Sequence, residues 1–237
     1  MMGIFRSFIS HLFVCIAILS SLGRLSAQDT AQWFTGKATY YNFTGHGNCA
    51  FKAPSKPVLT AAINTPQYAG SELCGACLEV QGSKGSVLVR VEDRCPGCPF
   101  GSLDLSMTAF ATIDELAKGR IPIKWRVVPC RDTSDISIYV ERGANAYFAM
   151  LKVQGANMPV HSLEMLVDSS YRVLPRKMSN YFELRAKHES LVNLRIVTGA
   201  DTVLLNGVDL RAASSCKPAE LIWLNQRRMP TDSLPKD

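Results

Sequence analysis

The chain has little of what marks a membrane span, a nucleic-acid binder or a metalloprotein. Past residue 27 no segment approaches the roughly 18 apolar residues that a membrane helix needs. Lys and Arg never gather into a block that could grip a phosphate backbone, and 26 basic against 20 acidic residues leave a net charge of +6. There are four histidines, and His161 and His188 sit in strand-like runs without partner motifs, which argues against metal ligation. Internal repeats and low-complexity stretches are missing. The half beyond residue 135 lacks a helix signal, and after Cys130 the one remaining cysteine is Cys216.

The first 27 residues read as a secretory signal peptide. Arg6 supplies a positive flank, and Phe8 to Leu19 form an apolar run too short to span a bilayer stably. Leu25-Ser26-Ala27 is a small-residue cleavage site. Cys15 lies inside the apolar run and is no lipid-attachment cysteine. The mature chain is expected to be secreted, about 210 residues long, and large enough for one large or two ordinary domains. Without Arg6 and Arg24, 24 basic residues face 20 acidic ones. That excess suits attraction to an acidic polymer such as pectin, and equally an ordinary solvated surface.

Cys49, Cys74, Cys77, Cys95, Cys98 and Cys130 crowd into the first half. In an exported chain they read as three disulfides, with about 15 connectivities open from sequence alone. A zinc site built from C-x-x-C pairs is the rival, and the oxidising compartment and missing histidine motif count against it. Cys216 is left over, as a buried thiol or an intermolecular partner.

Residues 28–131 carry short β-like runs, K-A-T-Y-Y, L-E-V, S-V-L-V-R-V and I-K-W-R-V-V-P, broken by Gly, Pro and Asn turns. Evenly spaced short strands predict a closed barrel. One helix is expected over Thr108–Lys118, stopped by Gly119. D-T-S-D at 132–135 is the expected junction, 133–228 reads as a β-sandwich of six or seven strands, and 229–237 as a disordered tail. Trp125 alternates as a core residue, and Trp33 and Trp223 carry little functional weight.

The stretch from Val89 to Phe110 holds the chemistry. V-L-V-R-V reads as a strand delivering Asp93 to a sheet edge, and a Cys-x-x-C pair can pin the loop leading to Asp104. Asp104 stands at a strand-to-helix corner that Ser106 can cap. Leu103, Leu105 and Phe110 would raise its pKa by burial, as a general acid requires, unless Asp104 only braces the corner.

These motifs resemble the expansin family, the microbial expansins within it. G-K-A-T-Y-Y-N, C-G-A-C-L-E-V at 74–80, V-E-D-R-C-P-G-C at 91–98, L-D-L-S-x-x-A-F at 103–110 and I-K-W-R-V-V-P at 123–129 stand in the family's order. G-A-N-A-Y-F-A-M-L-K-V-Q-G-A-N-M-P-V resembles its carbohydrate-binding half. The resemblance implies an all-β protein, a six-stranded double-psi β-barrel followed by an immunoglobulin-like β-sandwich. It implies a monomer that needs no metal or cofactor. Such a protein loosens cell walls by disturbing contacts between cellulose and matrix glycans without appreciable hydrolysis. Its partners would be cellulose, xyloglucan or a related glucan, with pectin and peptidoglycan as further wall polymers.

The resemblance assigns the key groove carboxylate to Asp104 and a second to Asp93. Thr39 and Tyr41 become polysaccharide contacts, and Tyr147, Phe148 and Tyr181 the stacking aromatics. It pairs Cys49 with Cys74, Cys77 with Cys130, and Cys95 with Cys98. Cys95 replaces a groove tyrosine of bacterial relatives and is expected to brace its loop. Tyr147 and Phe148 stand for adjacent tryptophans, and neighbours in a regular strand face opposite ways unless a bulge turns both outward. The third aromatic position holds Ser179, with Tyr181 two residues on.

Two enzymes and a binding module compete with this reading. A family-45-like endoglucanase needs a second carboxylate as base; the position that supplies it holds Asn42, and an amide cannot accept water's proton. A lytic transglycosylase needs one acid, so Asn42 does not exclude it, and His46 is the further residue to place, a loop histidine between glycines otherwise. A barwin-like carbohydrate-binding or defence protein is the third class.

Overall fold

The computed structural model describes residues 32–51, 59–131 and 136–211, together with the backbone of 227–230. The signal-peptide expectation for 1–27, the junction at 132–135, Cys216 and Trp223 lie outside the described residues, as do positions 231–237 of the expected tail.

Six strands close into a barrel: β1 (Phe34–Tyr41), β2 (Thr60–Asn64), β3 (Cys77–Gly82), β4 (Gly85–Cys95), β5 (Leu103–Ser106) and β6 (Ile121–Val128), in the order β1-β5-β2-β4-β3-β6. The pairs β1–β5 and β2–β4 are parallel and the other four antiparallel. This all-β closed barrel matches the double-psi architecture that the resemblance implies.

Alternation decides what fills it. Ile121, Ile123 and Trp125 on β6 point inward, as do Val87, Val89 and Val91 on β4 and Leu103 and Leu105 on β5. Trp125 is core, and its indole N–H donates to the Gly101 carbonyl at 2.7 Å. That contact belongs to a close approach of two glycines: a Cβ on Gly36 would stand 2.2 Å from the Gly101 oxygen.

The one predicted helix is shorter than expected, and a second, unforeseen helical turn is present. α1 (Thr65–Tyr68) follows β2, and α2 runs Met107–Ile113. Asp114 adopts an extended backbone and takes the Ser83 hydroxyl at 2.8 Å, so the predicted helix breaks there and resumes as a 3-10 turn over Leu116–Lys118. Gly119 ends that turn at φ 64°. Ser106 occupies the N-cap position of α2 without capping it. Its hydroxyl instead accepts the Thr60 amide proton at 3.2 Å across the sheet.

The other half is two sheets. β7 (Ser137–Val140), β8 (Ala149–Gln154) and β11 (Phe182–Leu184) form one, ordered β11-β8-β7. The other is β10-β9-β12-β13-β14, from β9 (Val160–Val167), β10 (Ser170–Val173), β12 (Leu191–Thr198), β13 (Asp201–Asp209) and β14 (Arg227–Pro230). Ile138, Leu151 and Phe182 of the first share one buried cluster with Leu163, Leu194 and Val203 of the second. Met229 and Pro230, assigned to the tail by sequence, pair instead with Thr202 and Asp201 at the sheet edge. A proline suits that place because an edge strand needs no donor on its outer side.

Three disulfides join Cys49 to Cys74, Cys77 to Cys130 and Cys95 to Cys98, the pairs the resemblance implies. With all six sulfurs bonded to one another, the zinc alternative falls away. A seam of hydrogen bonds joins the barrel to the sheets. The Asn48 amide and the Tyr68 hydroxyl both donate to the Met178 carbonyl, at 2.9 and 2.6 Å. Ser71 donates to the Lys177 carbonyl at 2.8 Å, Asn180 to that of Cys49 at 3.3 Å, and Arg176 to that of Ser71 at 3.3 Å. The buried Lys152 reaches from β8 to the Ala50 carbonyl.

Candidate active site

Four adjacent barrel strands bring the predicted groove residues into one row. Thr39 on β1 faces Asp104 on β5, Asp104 faces Ala62 on β2, and Ala62 faces Asp93 on β4. Asp104 reaches the outer side because its neighbours Leu103 and Leu105 are fully buried.

Asp93 reaches it by a different route. It shares odd parity with the inward Val89 and Val91, and strict alternation would send it into the core. The register slips between Ala61, opposite Val91, and Ala62, opposite Asp93, so Glu92 is an extra residue in β4. This β-bulge turns Asp93 outward. The buried Glu92 carboxylate is matched by the Arg90 guanidinium. No sequence pattern announced the bulge; the adjacent E-D pair within a β-branched run was the available hint.

Asp104 is half-buried, and its Oδ1 accepts the Thr39 hydroxyl proton at 2.6 Å. Burial holds its carboxyl above the ordinary aspartate range. The Thr39 bond acts in the opposite sense, and the nearby Asp93 charge adds to the upward shift. Asp93 braces the neighbouring backbone, its Oδ1 accepting the N–H of Asn48 and of Arg94, both at 2.7 Å. Gly47 allows the loop to lie so close, since a Cβ there would stand 2.2 Å from the Glu92 oxygen.

Tyr41 stands next along β1. Burial first, then the charge of Asp93, hold its phenol well above the usual tyrosine range, so it is a neutral donor beside the carboxylates. The Tyr41 and Thr60 hydroxyls lie together, both buried, without forming a hydrogen bond of normal geometry. Asn42 and His46 are exposed in the loop that follows β1.

Beside this row opens a recess of about 650 Å³. Thr39, Gly36 and Leu103 lie along it, together with Cys95, Cys98 and Pro99 of the pinned loop. Cys95 therefore braces that loop, as expected from sequence. The same loop carries Phe100, which is 63% exposed and rests edge-on against Phe34. Sequence reasoning passed over this aromatic, although its place in a Pro/Gly-rich loop signalled exposure.

The aromatics of the sheet half differ in availability. Tyr147 and Phe148 belong to a tight turn, with Asn145 and Phe148 exchanging backbone hydrogen bonds at 2.8 and 3.2 Å, so strand alternation does not govern them. Tyr147 is 63% exposed, while Phe148 is half-buried with the Arg185 guanidinium 5.2 Å from its ring centre. Tyr181 is half-buried and committed to neighbours. Its hydroxyl donates to Glu141 at 2.5 Å, and the Lys152 ammonium lies 4.8 Å from its ring. Burial and that hydrogen bond push its phenol well up. Asn48, also missed, links the two halves: its backbone N–H holds Asp93 while its side chain reaches Met178.

Residues 33–125 match a family model described as lytic transglycolase. Expansin-YoaJ of Bacillus subtilis (strain 168) is 31% identical over 189 residues, covering 77% of this chain and 79% of that protein. Expansin-like protein 2 of Dictyostelium discoideum is 30% identical over 183 residues, 70% of this chain, which spans only 44% of that longer protein. Among solved structures, a variant of the Clavibacter michiganensis expansin in complex with cellohexaose superposes with a TM-score of 0.70 at 27% identity, covering 80% of this chain and 95% of that one.

Proposed function

The chain belongs to the expansin family, and from that premise we propose that it is a secreted protein that binds wall glucan and loosens the wall without hydrolysis. Residues 28–131 then form the loosening domain. Residues 133–228 form an immunoglobulin-like carbohydrate-binding domain that presents Tyr147 and Phe148 to sugar rings, with Tyr181 in support. The cellohexaose complex of the Clavibacter relative favours a β-glucan as the polymer.

One observation carries this reading: Asp104 is a half-buried carboxyl with raised pKa, bonded to Thr39, in an outward row whose other carboxylate, Asp93, holds two backbone N–H groups on Oδ1. Hydrolysis by inversion needs a second carboxylate to take water's proton. Asp93 has one oxygen on two backbone amides, and Asn42 stands where a base would be. Asp104 is left to donate a hydrogen bond, or briefly a proton, to a glucan oxygen. Thr39 and Asp93 align the chain, and Tyr41, whose hydroxyl is buried beside that of Thr60, offers its ring. Such contacts compete with those between polymers and do not break a glycosidic bond.

The test is extension of a clamped, heat-inactivated wall strip run beside a sugar-release assay. Asp104→Ala should abolish extension, a loss of at least about tenfold, while cellulose pull-down persists through the sheet domain. Loss of both together, or reducing-sugar release at an enzyme-like rate by the wild type, would overturn the reading. The lytic transglycolase match favours a second reading, in which Asp104 serves as the lone acid of peptidoglycan cleavage. Release of anhydro-muropeptides by wild type, but not by Asp104→Ala, would establish it.

A further inference from the structure

The recess beside Thr39 has a second character that the glucan reading leaves unused. Its wall carries Lys37 and Arg120, and among the described residues no carboxylate lines it. Lys37 lies two residues before Thr39 on β1 and so on the same outward side. Arg120 immediately precedes β6, whose first residues pair with β1. Both side chains are exposed, and among the described residues neither forms an ion pair. Elsewhere in the barrel Lys84, Arg90, Lys118 and Arg126 each meet a carboxylate. The groove is thus polarised along β1, with acids at the Asp104 end and unneutralised cations about 7 Å away at the Lys37 end, two residues along the strand.

We propose that the Lys37–Arg120 recess is a subsite for the carboxylate of a uronic-acid unit, so that the protein grips an acidic wall polysaccharide beside the contacts at Asp104. The proposal rests on the glycan-binding reading of the same groove. A neutral glucan places only hydroxyls here and leaves both cations facing water. A uronate places its charge between an ammonium and a planar guanidinium, whose fork matches a carboxylate. Partly exposed pairs of this kind are each worth a few-fold in affinity, so the two together supply about tenfold, weakening as salt rises.

Calorimetric titration of the full chain with hexagalacturonate, its fully methyl-esterified form and cellohexaose tests this at low and high salt. Wild type should bind the free acid about tenfold more tightly than the ester, with the preference shrinking at high salt. The double substitution Lys37→Gln with Arg120→Gln should erase the preference. The charge-keeping pair Lys37→Arg with Arg120→Lys should retain it, with all three proteins unfolding at the same temperature. Equal binding of acid and ester by wild type, or a preference that survives the glutamine substitutions, overturns the subsite. Failure of wild type to bind cellohexaose strikes the glucan reading instead, and a surviving acid preference then supports the subsite by itself.

Discussion

Asp104 shows how one carboxyl couples stability to chemistry. Its folded pKa lies above the unfolded value because burial disfavours the charged form. At pH below the unfolded aspartate range both states are protonated and ionisation costs nothing. As pH rises through the folded pKa, the native state must ionise a half-buried group, and wild type loses stability that Asp104→Asn keeps. Urea unfolding followed as pH rises above the ordinary aspartate range should show the two proteins diverging, the variant increasingly favoured until Asp104 is ionised in the native state. Wall extension should fall over the same interval, because the donating form is the protonated one. This residue was legible in advance, since L-D-L-S sets a carboxyl between two buried leucines. Asp93 was legible as a groove candidate, but the bulge that turns it outward was not, because strict period-two parity alone would point it inward. The aromatics divided in the same way: exposure of Tyr147 follows from a turn, whereas the ties of Tyr181 to Glu141 and Lys152 depend on residues distant in sequence.

Strands and their crossings set what these residues can do. Short β-branched runs between Gly and Pro turns suffice to predict a closed barrel, but register depends on where one strand carries an extra residue. The slip at Glu92 decides that four strands present Thr39, Asp104, Ala62 and Asp93 at one level. The helix over 108–118 was overestimated because its apolar spacing continues past Asp114, whose side chain bonds outside the helix and ends it. Close packing of β1 against the loop before β5 is the most demanding crossing. Gly36→Ala would drive a methyl group into the Gly101 carbonyl and should cost about 1–3 kcal/mol, read from the shift in urea midpoint. Exposed Gly97, around which an added Cβ meets nothing, should accept alanine with little change in midpoint.

Across the molecule, covalent reinforcement is uneven. All three disulfides tie residues between Cys49 and Cys130, and none lies in the two sheets among the described residues. The bridge from Cys77 to Cys130 closes 53 residues, and loop-closure entropy assigns it about 4 kcal/mol. Replacing both cysteines by alanine should lower the unfolding free energy by about that amount, as measured in urea without reductant. The two-half layout was legible from the clustering of cysteine and the change in strand texture, whereas the seam was not, because main-chain atoms supply most of its acceptors. That choice of acceptor divides the seam's positions, on both sides, in their tolerance of sequence drift. A carbonyl is present whatever residue carries it, so positions 177 and 178 can exchange side chains over generations and still receive Ser71, Asn48 and Tyr68. The donors have no such freedom: Asn48, Tyr68 and Ser71 on the barrel, and Lys152, Arg176 and Asn180 on the sheet half, must each keep a donating side chain for the joint to persist.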